Sequence, residues 1–172
     1  MRRFLLPVLF TACFLFDSIF LELLPAKYFH HDNILVPHLV VIALIFLTIY
    51  GNRNLGILYS FIFGLLYDVI YIEIIGIYLF MFPLISYIIS KLMKILQNNL
   101  LIITVVTLLG IVLLELGVYE MNFLIHKTTM DFSTYTSARL LPTLLLNLVF
   151  TVVVAYPLKR QFEKLAEQLR NE

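Results

Sequence analysis

A chain of 172 residues that is 62% hydrophobic and only 13% charged, with a net charge of +1, carries about half the charge of an ordinary soluble domain, which excludes a water-soluble fold. Each crossing of a roughly 30 Å hydrocarbon layer takes about 20 apolar residues, so the length holds five to seven spans and no second domain. The basic residues are scattered between apolar runs, leaving no basic face for nucleic acid, and the single cysteine, Cys13, offers no internal disulfide and no metal or redox pattern.

Arg2 and Arg3 followed by apolar residues is also how a secretory leader opens. Here the apolar run continues past Thr11-Ala12-Cys13, which predicts a retained first helix over about residues 4–24, stopped by Pro25. After a polar connection with Lys27, His30, His31 and Asp32, a second helix is expected over 34–50, with Pro37 in its first turn where the missing N–H costs nothing. Gly51-Asn52-Arg53-Asn54 reads as a turn.

Residues 55–89 are apolar apart from Asp68 and Glu73, and a single helix of that length would measure about 52 Å, longer than any bilayer is thick. The acidic pair and Gly76 place a reversal between helices at 55–70 and 75–92. Lys91, Lys94 and Gln97-Asn98-Asn99 form the next break, and a fifth helix is expected over 100–119. Residues 120–137 form the longest stretch outside a span, with space for a short interfacial helix. A sixth helix is expected over 138–156, ended by Pro157, and Pro83 and Pro142 should kink helices 4 and 6. In the tail, 159–172, Phe162, Leu165, Ala166 and Leu169 form an apolar stripe expected to rest on the membrane surface, with partner binding as the alternative. The expected architecture is an all-α membrane protein, one transmembrane domain of six helices.

Alternate connections differ in basic charge. One side collects Arg2, Arg3, Arg53, Lys91, Lys94, Lys159, Arg160, Lys164 and Arg170, and the other only Lys27, Lys127 and Arg139. By the positive-inside rule both termini are cytoplasmic.

Asp17, Asp68 and Glu115 then fall in the outer third of their helices. A carboxylate there must be paired, hydrated or protonated, so Asp17 and Glu115 either meet outer headgroups or face the bundle interior. Gly64 and Asp68 share a helical face, which points to a close contact where Asp68 bonds to a neighbouring helix end or to Arg139; a ligand role is the alternative. Gly56, Ser60 and Gly64 form a small-xxx-small stripe suited to close helix packing, and Asn147 should bond between helices. HExxH, GxSxG, P-loop and Cys/His arrangements are missing, so no catalytic, cofactor-binding or metal-binding residue is expected. His30, His31 and His38 lie near one another, but a solvated loop explains them better than a metal site.

Val36-Pro37, the motif Phe61-x-x-Gly64-Leu65-x-x-Asp68 followed by Gly76-x-Tyr78, and Leu141-Pro142-Thr143 with Asn147 together resemble MreD, the small multi-pass protein of the bacterial rod-elongation system. His38 and Ser60 stand where family members often carry Asp and Gly. The resemblance implies a non-enzymatic subunit of the bacterial plasma membrane, without cofactor. It would bind an MreC-like single-pass protein and help couple MreB filaments to peptidoglycan synthesis by RodA and its penicillin-binding partner. Pro37, Phe61, Gly64, Leu65, Asp68, Gly76, Tyr78, Glu115, Arg139, Pro142 and Asn147 are its structural or partner-binding candidates. The family also resembles in fold the substrate-binding subunits of energy-coupling-factor vitamin transporters, which supplies a second reading: a small-molecule-binding subunit with an outer pocket lined by Asp17, Asp68, Glu115 and Glu120.

Overall fold

The computed structural model describes residues 5–23, 34–71 and 75–170, and every regular element within them is a helix. The expected polar connection with Lys27, His30, His31 and Asp32, together with Pro25, Glu73 and the Arg2-Arg3 pair, lies outside the described residues. Helix α1 spans Leu5–Leu23, and α2, Leu39–Phe46, continues as a π-helical turn over Leu47–Gly51. Helices α3 (Arg53–Tyr71), α4 (Ile77–Leu92) and α5 (Leu100–Leu124) follow. The short α6, Phe132–Tyr135, leads through a second π-helical turn, Thr136–Leu140, into α7, Leu141–Arg170. Four helical stretches, Leu5–Glu22, Arg53–Tyr71, Leu100–Leu124 and Phe132–Arg170, are long and apolar enough to cross a membrane; Leu39–Gly51 and Ile77–Leu92 are apolar but shorter.

Three of these helices are started by the residue next to them. Asn52 accepts from the N–H groups of Asn54 and Leu55, Asn99 from Leu101, and Asp131 from Ser133, each satisfying donors that a helix N-terminus leaves unpaired. At α2 and α4 the preceding residues, His38 and Gly76, supply no side-chain cap.

Helix α2 is the centre of the bundle: every residue from Val40 to Leu47 is 2% exposed or less, as expected of a helix that is apolar all round. The outer helices turn large apolar residues outward, including Val8 and Ile19 on α1, Phe61 and Val69 on α3, and Val149 and Val153 on α7. Between α3 and α4 the small-residue stripe closes the gap. The hydroxyls of Ser60 and Ser86 meet at 2.7 Å, and a Cβ on Gly64 would lie 2.5 Å from the Tyr78 carbonyl oxygen and 2.9 Å from the Leu79 Cα. Only glycine permits that approach, because the obstructing atoms are backbone.

Three expectations need correction. Residues 34–38 are not helical; α2 begins at Leu39, since the residue before a proline is pushed toward extended backbone and this segment finds partners on α7. Helix α5 runs on to Leu124. Pro157 does not end the last helix, which continues to Arg170 with Pro157 inside it. An internal proline costs about 3 kcal/mol, but continuing the helix buries Phe162 and Leu165, at 0% and 3% exposure, each worth roughly 1.5–3 kcal/mol. The tail's apolar stripe is therefore seated on the bundle itself, with Phe162 beside Gly51, and not on the membrane surface.

Candidate functional site

A carboxylate among apolar helices is tolerable only when donors surround it, and the three buried carboxylates among the described residues find theirs in different ways. Asp68, fully buried on α3, accepts from the N–H groups of Gly76 and Leu79 through Oδ2 at 2.8 and 2.9 Å, and from Tyr78 through Oδ1 at 2.8 Å. It thus caps α4 from the preceding helix. Gly76 has φ of +132°, a conformation that L side chains rarely adopt, and this turn aims its N–H back at Asp68. Of the two partners expected for Asp68, the structure places the helix end there and sets Arg139 elsewhere.

Asp17 does the same for α2. Its Oδ1 accepts from Leu39 at 3.1 Å, and its Oδ2 accepts from Val40 at 3.2 Å and from the Tyr67 hydroxyl at 2.8 Å. It is 1% exposed. Beside it, Ser18 and Tyr71 share a hydrogen bond between their hydroxyls.

Glu115 of α5 is also 1% exposed, so neither it nor Asp17 is wetted by headgroups. His38 Nε2 donates to its Oε1 at 2.7 Å, and the Tyr135 hydroxyl and Arg139 Nε donate to Oε2 at 2.6 and 2.9 Å. Arg139 Nη2 is 3.5 Å from Oε1. Glu115 therefore ties the start of α2 to α6 and to the turn entering α7. His38 is a buried pairing partner, while His30 and His31 lie outside the described residues, and the Nδ1 of His38 is buried without a hydrogen-bond partner among the described residues. Among the described residues no group of three or more His, Cys, Asp or Glu could hold a metal ion.

The extended segment 34–38 is held by α7 as a neighbouring strand would hold it. Asn147 Oδ1 accepts from the His38 N–H at 2.8 Å while its Nδ2 donates to the Val36 carbonyl at 2.8 Å. Thr143 Oγ1 accepts from the Val36 N–H and donates to the Ile34 carbonyl, both at 3.3 Å, and the Ile34 N–H donates to the Ala138 carbonyl at 2.8 Å. Pro37, the one residue of the run with no N–H, is buried between these contacts.

Around this polar end lies a cavity of about 580 Å³ whose lining includes Asp17, His38, Tyr67, Tyr78, Lys127 and Arg139. The remaining sequence candidates sit apart: Phe61 and Leu65 point outward from α3 at 49% and 43% exposure, Pro142 is half-buried in the first turn of α7, and Glu120 is exposed. Sequence reasoning missed Tyr67, Tyr135 and Thr143 as members of the network. It also left His38 to a solvated loop, where the need of an acid and a base in apolar segments to find one another could have paired it with Glu115.

A family profile described as rod shape-determining protein MreD matches residues 2–165. The rod shape-determining protein MreD of Bacillus subtilis (strain 168) is 35% identical over 172 residues, the whole of both chains. The cell shape-determining protein MreD of Streptococcus pneumoniae (strain ATCC BAA-255 / R6) is 28% identical over 136 residues, covering 79% of this chain and 82% of that one. No solved structure matches the chain at a comparable level of significance.

Proposed function

The chain belongs to the MreD family of rod shape-determining proteins, and from that premise we propose that it is a non-enzymatic scaffold of the cell-elongation machinery in the bacterial plasma membrane. It crosses the bilayer six times with both termini in the cytoplasm, binds an MreC-like single-pass protein, and helps couple MreB filaments to RodA and its penicillin-binding partner. The carrying observation is similarity over the full length to a rod shape-determining relative. The use of the buried carboxylates agrees with it: Asp17 and Asp68 hold helix starts and Glu115 ties elements together, which is how a rigid scaffold uses intramembrane charge.

Six crossings require the two short helices to span as well. The eight residues of α2 and five of its π turn rise about 20 Å at 1.5 Å per residue, and the extended segment 34–38 adds roughly 16 Å, together enough for a hydrocarbon layer of about 30 Å. Non-helical backbone at that depth is stable only when protein satisfies it, and Asn147 and Thr143 do so. A cysteine placed at Asn52 should stay unlabelled by an impermeant reagent in intact cells; labelling there refutes the orientation.

Affinity purification of the tagged chain in mild detergent tests the role. Recovery of an MreC-like single-pass protein is expected. The cavity of about 580 Å³ at the polar end favours one competing reading, a small-molecule-binding subunit like those of vitamin transporters, and recovery of an ATPase with its membrane coupling subunit would replace the scaffold by that reading.

A further inference from the structure

At the opposite end of the bundle, the first turn of α1 and the Tyr156–Leu165 stretch of α7 enclose a second groove of about 420 Å³. The two helices touch through Phe16, Phe20 and Phe150 nearer the polar end. The groove's floor is apolar and buried, with Leu6, Phe162 and Leu165 at 4%, 0% and 3% exposure. Its walls, Leu5 and Tyr156, are 48% and 67% exposed and continue into the outward aliphatic faces around Val8 and Val153. Two cations stand on the rim, Arg160 and Lys164.

Three other cations at this end are engaged: Arg53 and Lys91 lie over the Tyr87 ring at 5.2 and 5.4 Å, and Lys159 over the Tyr50 ring at 5.4 Å. Glu163, which could have neutralised the rim, lies 3.8 Å from Lys159 instead. Among the described residues no carboxylate pairs with Arg160 or Lys164. A cationic rim above an apolar slot that opens sideways matches a molecule with an anionic head and a hydrocarbon tail, and basic pockets between membrane helices recognise such heads.

We propose that this groove binds an anionic glycerophospholipid, its phosphate held by Arg160 and Lys164 and an acyl chain lying against Leu5, Leu6 and Tyr156. The site rests on the bilayer embedding proposed above and on no partner protein, so it stands or falls independently of what purifies with the chain. It would fix the lipid against the point where α7 leaves the hydrocarbon layer at Pro157, joining the cytoplasmic helix turns to the start of α1.

The test uses the full chain in mild detergent, with native mass spectrometry and thermal unfolding read after adding dioleoyl phosphatidylglycerol or dioleoyl phosphatidylcholine. Phosphatidylglycerol should be retained and should raise the melting temperature more than phosphatidylcholine does. The double variant Arg160→Gln/Lys164→Gln should weaken its retention roughly 30-fold, about fivefold per basic residue, with unchanged melting in lipid-free detergent. Lys91→Gln/Lys94→Gln removes the same charge at the same end and should bind as the original chain does. Leu5→Trp, which fills the slot and keeps both cations, should also weaken retention. Equal retention of both lipids, an equal loss in the two charge variants, or competition by glycerol phosphate alone as effective as the whole lipid would each overturn the proposal.

Discussion

Asp17 and Asp68 perform one task at two places, and the difference between them lies in how far each must reach. Asp68 caps a helix that begins only eight to eleven residues later in the chain, through a turn set by Gly76 and a close approach set by Gly64. Asp17 caps a helix start 22 and 23 residues away and takes its third donor, Tyr67, from α3, 50 residues on. The first cap can form as soon as α3 and α4 fold against each other. The second exists only after α1, α2 and α3 have assembled, so one carboxylate stabilises a hairpin and the other stabilises the tertiary arrangement.

The largest effect should come from the local cap. Asp68→Ala strands three backbone donors, and at roughly 1–3 kcal/mol for each buried donor left unsatisfied it should destabilise the bundle by about 4 kcal/mol in detergent unfolding. Asp68→Asn keeps one acceptor oxygen and should cost about half as much. Normal melting of both variants, with lost shape maintenance in cells, would instead assign Asp68 to partner or cation binding.

Asp17→Ala follows at about 3 kcal/mol, because it frees two backbone donors and one hydroxyl. Hydrogen exchange separates the two caps: the Leu39 and Val40 amides should exchange faster in this variant while those of Gly76, Tyr78 and Leu79 stay protected, with the reverse pattern in Asp68→Ala. If either substitution loosens both helix starts equally, the two caps form one cooperative unit and the distinction between hairpin and assembly fails.

Gly64→Ala sharpens the same contrast without touching a charge. The added methyl meets the Tyr78 and Leu79 backbone, so α4 must move away from α3, at a cost of about 2 kcal/mol by overpacking. Exchange should rise at the start of α4 and not at the start of α2; protection unchanged at both would mean that the helices separate without disturbing the cap. The smallest change, Tyr67→Phe, removes the distant donor of Asp17 and should cost about 1 kcal/mol. A loss as large as that of Asp17→Ala would show that the hydroxyl, and not the helix start, is the principal partner of that carboxylate.

The amino-acid sequence by itself determined what depends on neighbours along the chain. Apolar runs specify apolar helices, the 35-residue run from 55 to 89 demands a reversal because one helix would overshoot any bilayer, and Gly64 and Asp68 one turn apart mark the face where α3 meets the next helix. What joins distant segments was decided only in the tertiary structure. From the sequence, Arg139 was a candidate partner for Asp68 alone, and the packing of α5 against the turn entering α7 gave it to Glu115. The non-helical segment at 34–38 could not be read as such, since its hydrogen-bond partners, Thr143 and Asn147, lie more than a hundred residues further on. The tail's stripe has the same pattern whether it rests on lipid or on protein, and its seat against Gly51 exists only once the bundle has closed. Periodicity and turn geometry are local and are written into short stretches of chain, whereas a buried polar group is satisfied by whatever donor the fold brings within about 3 Å.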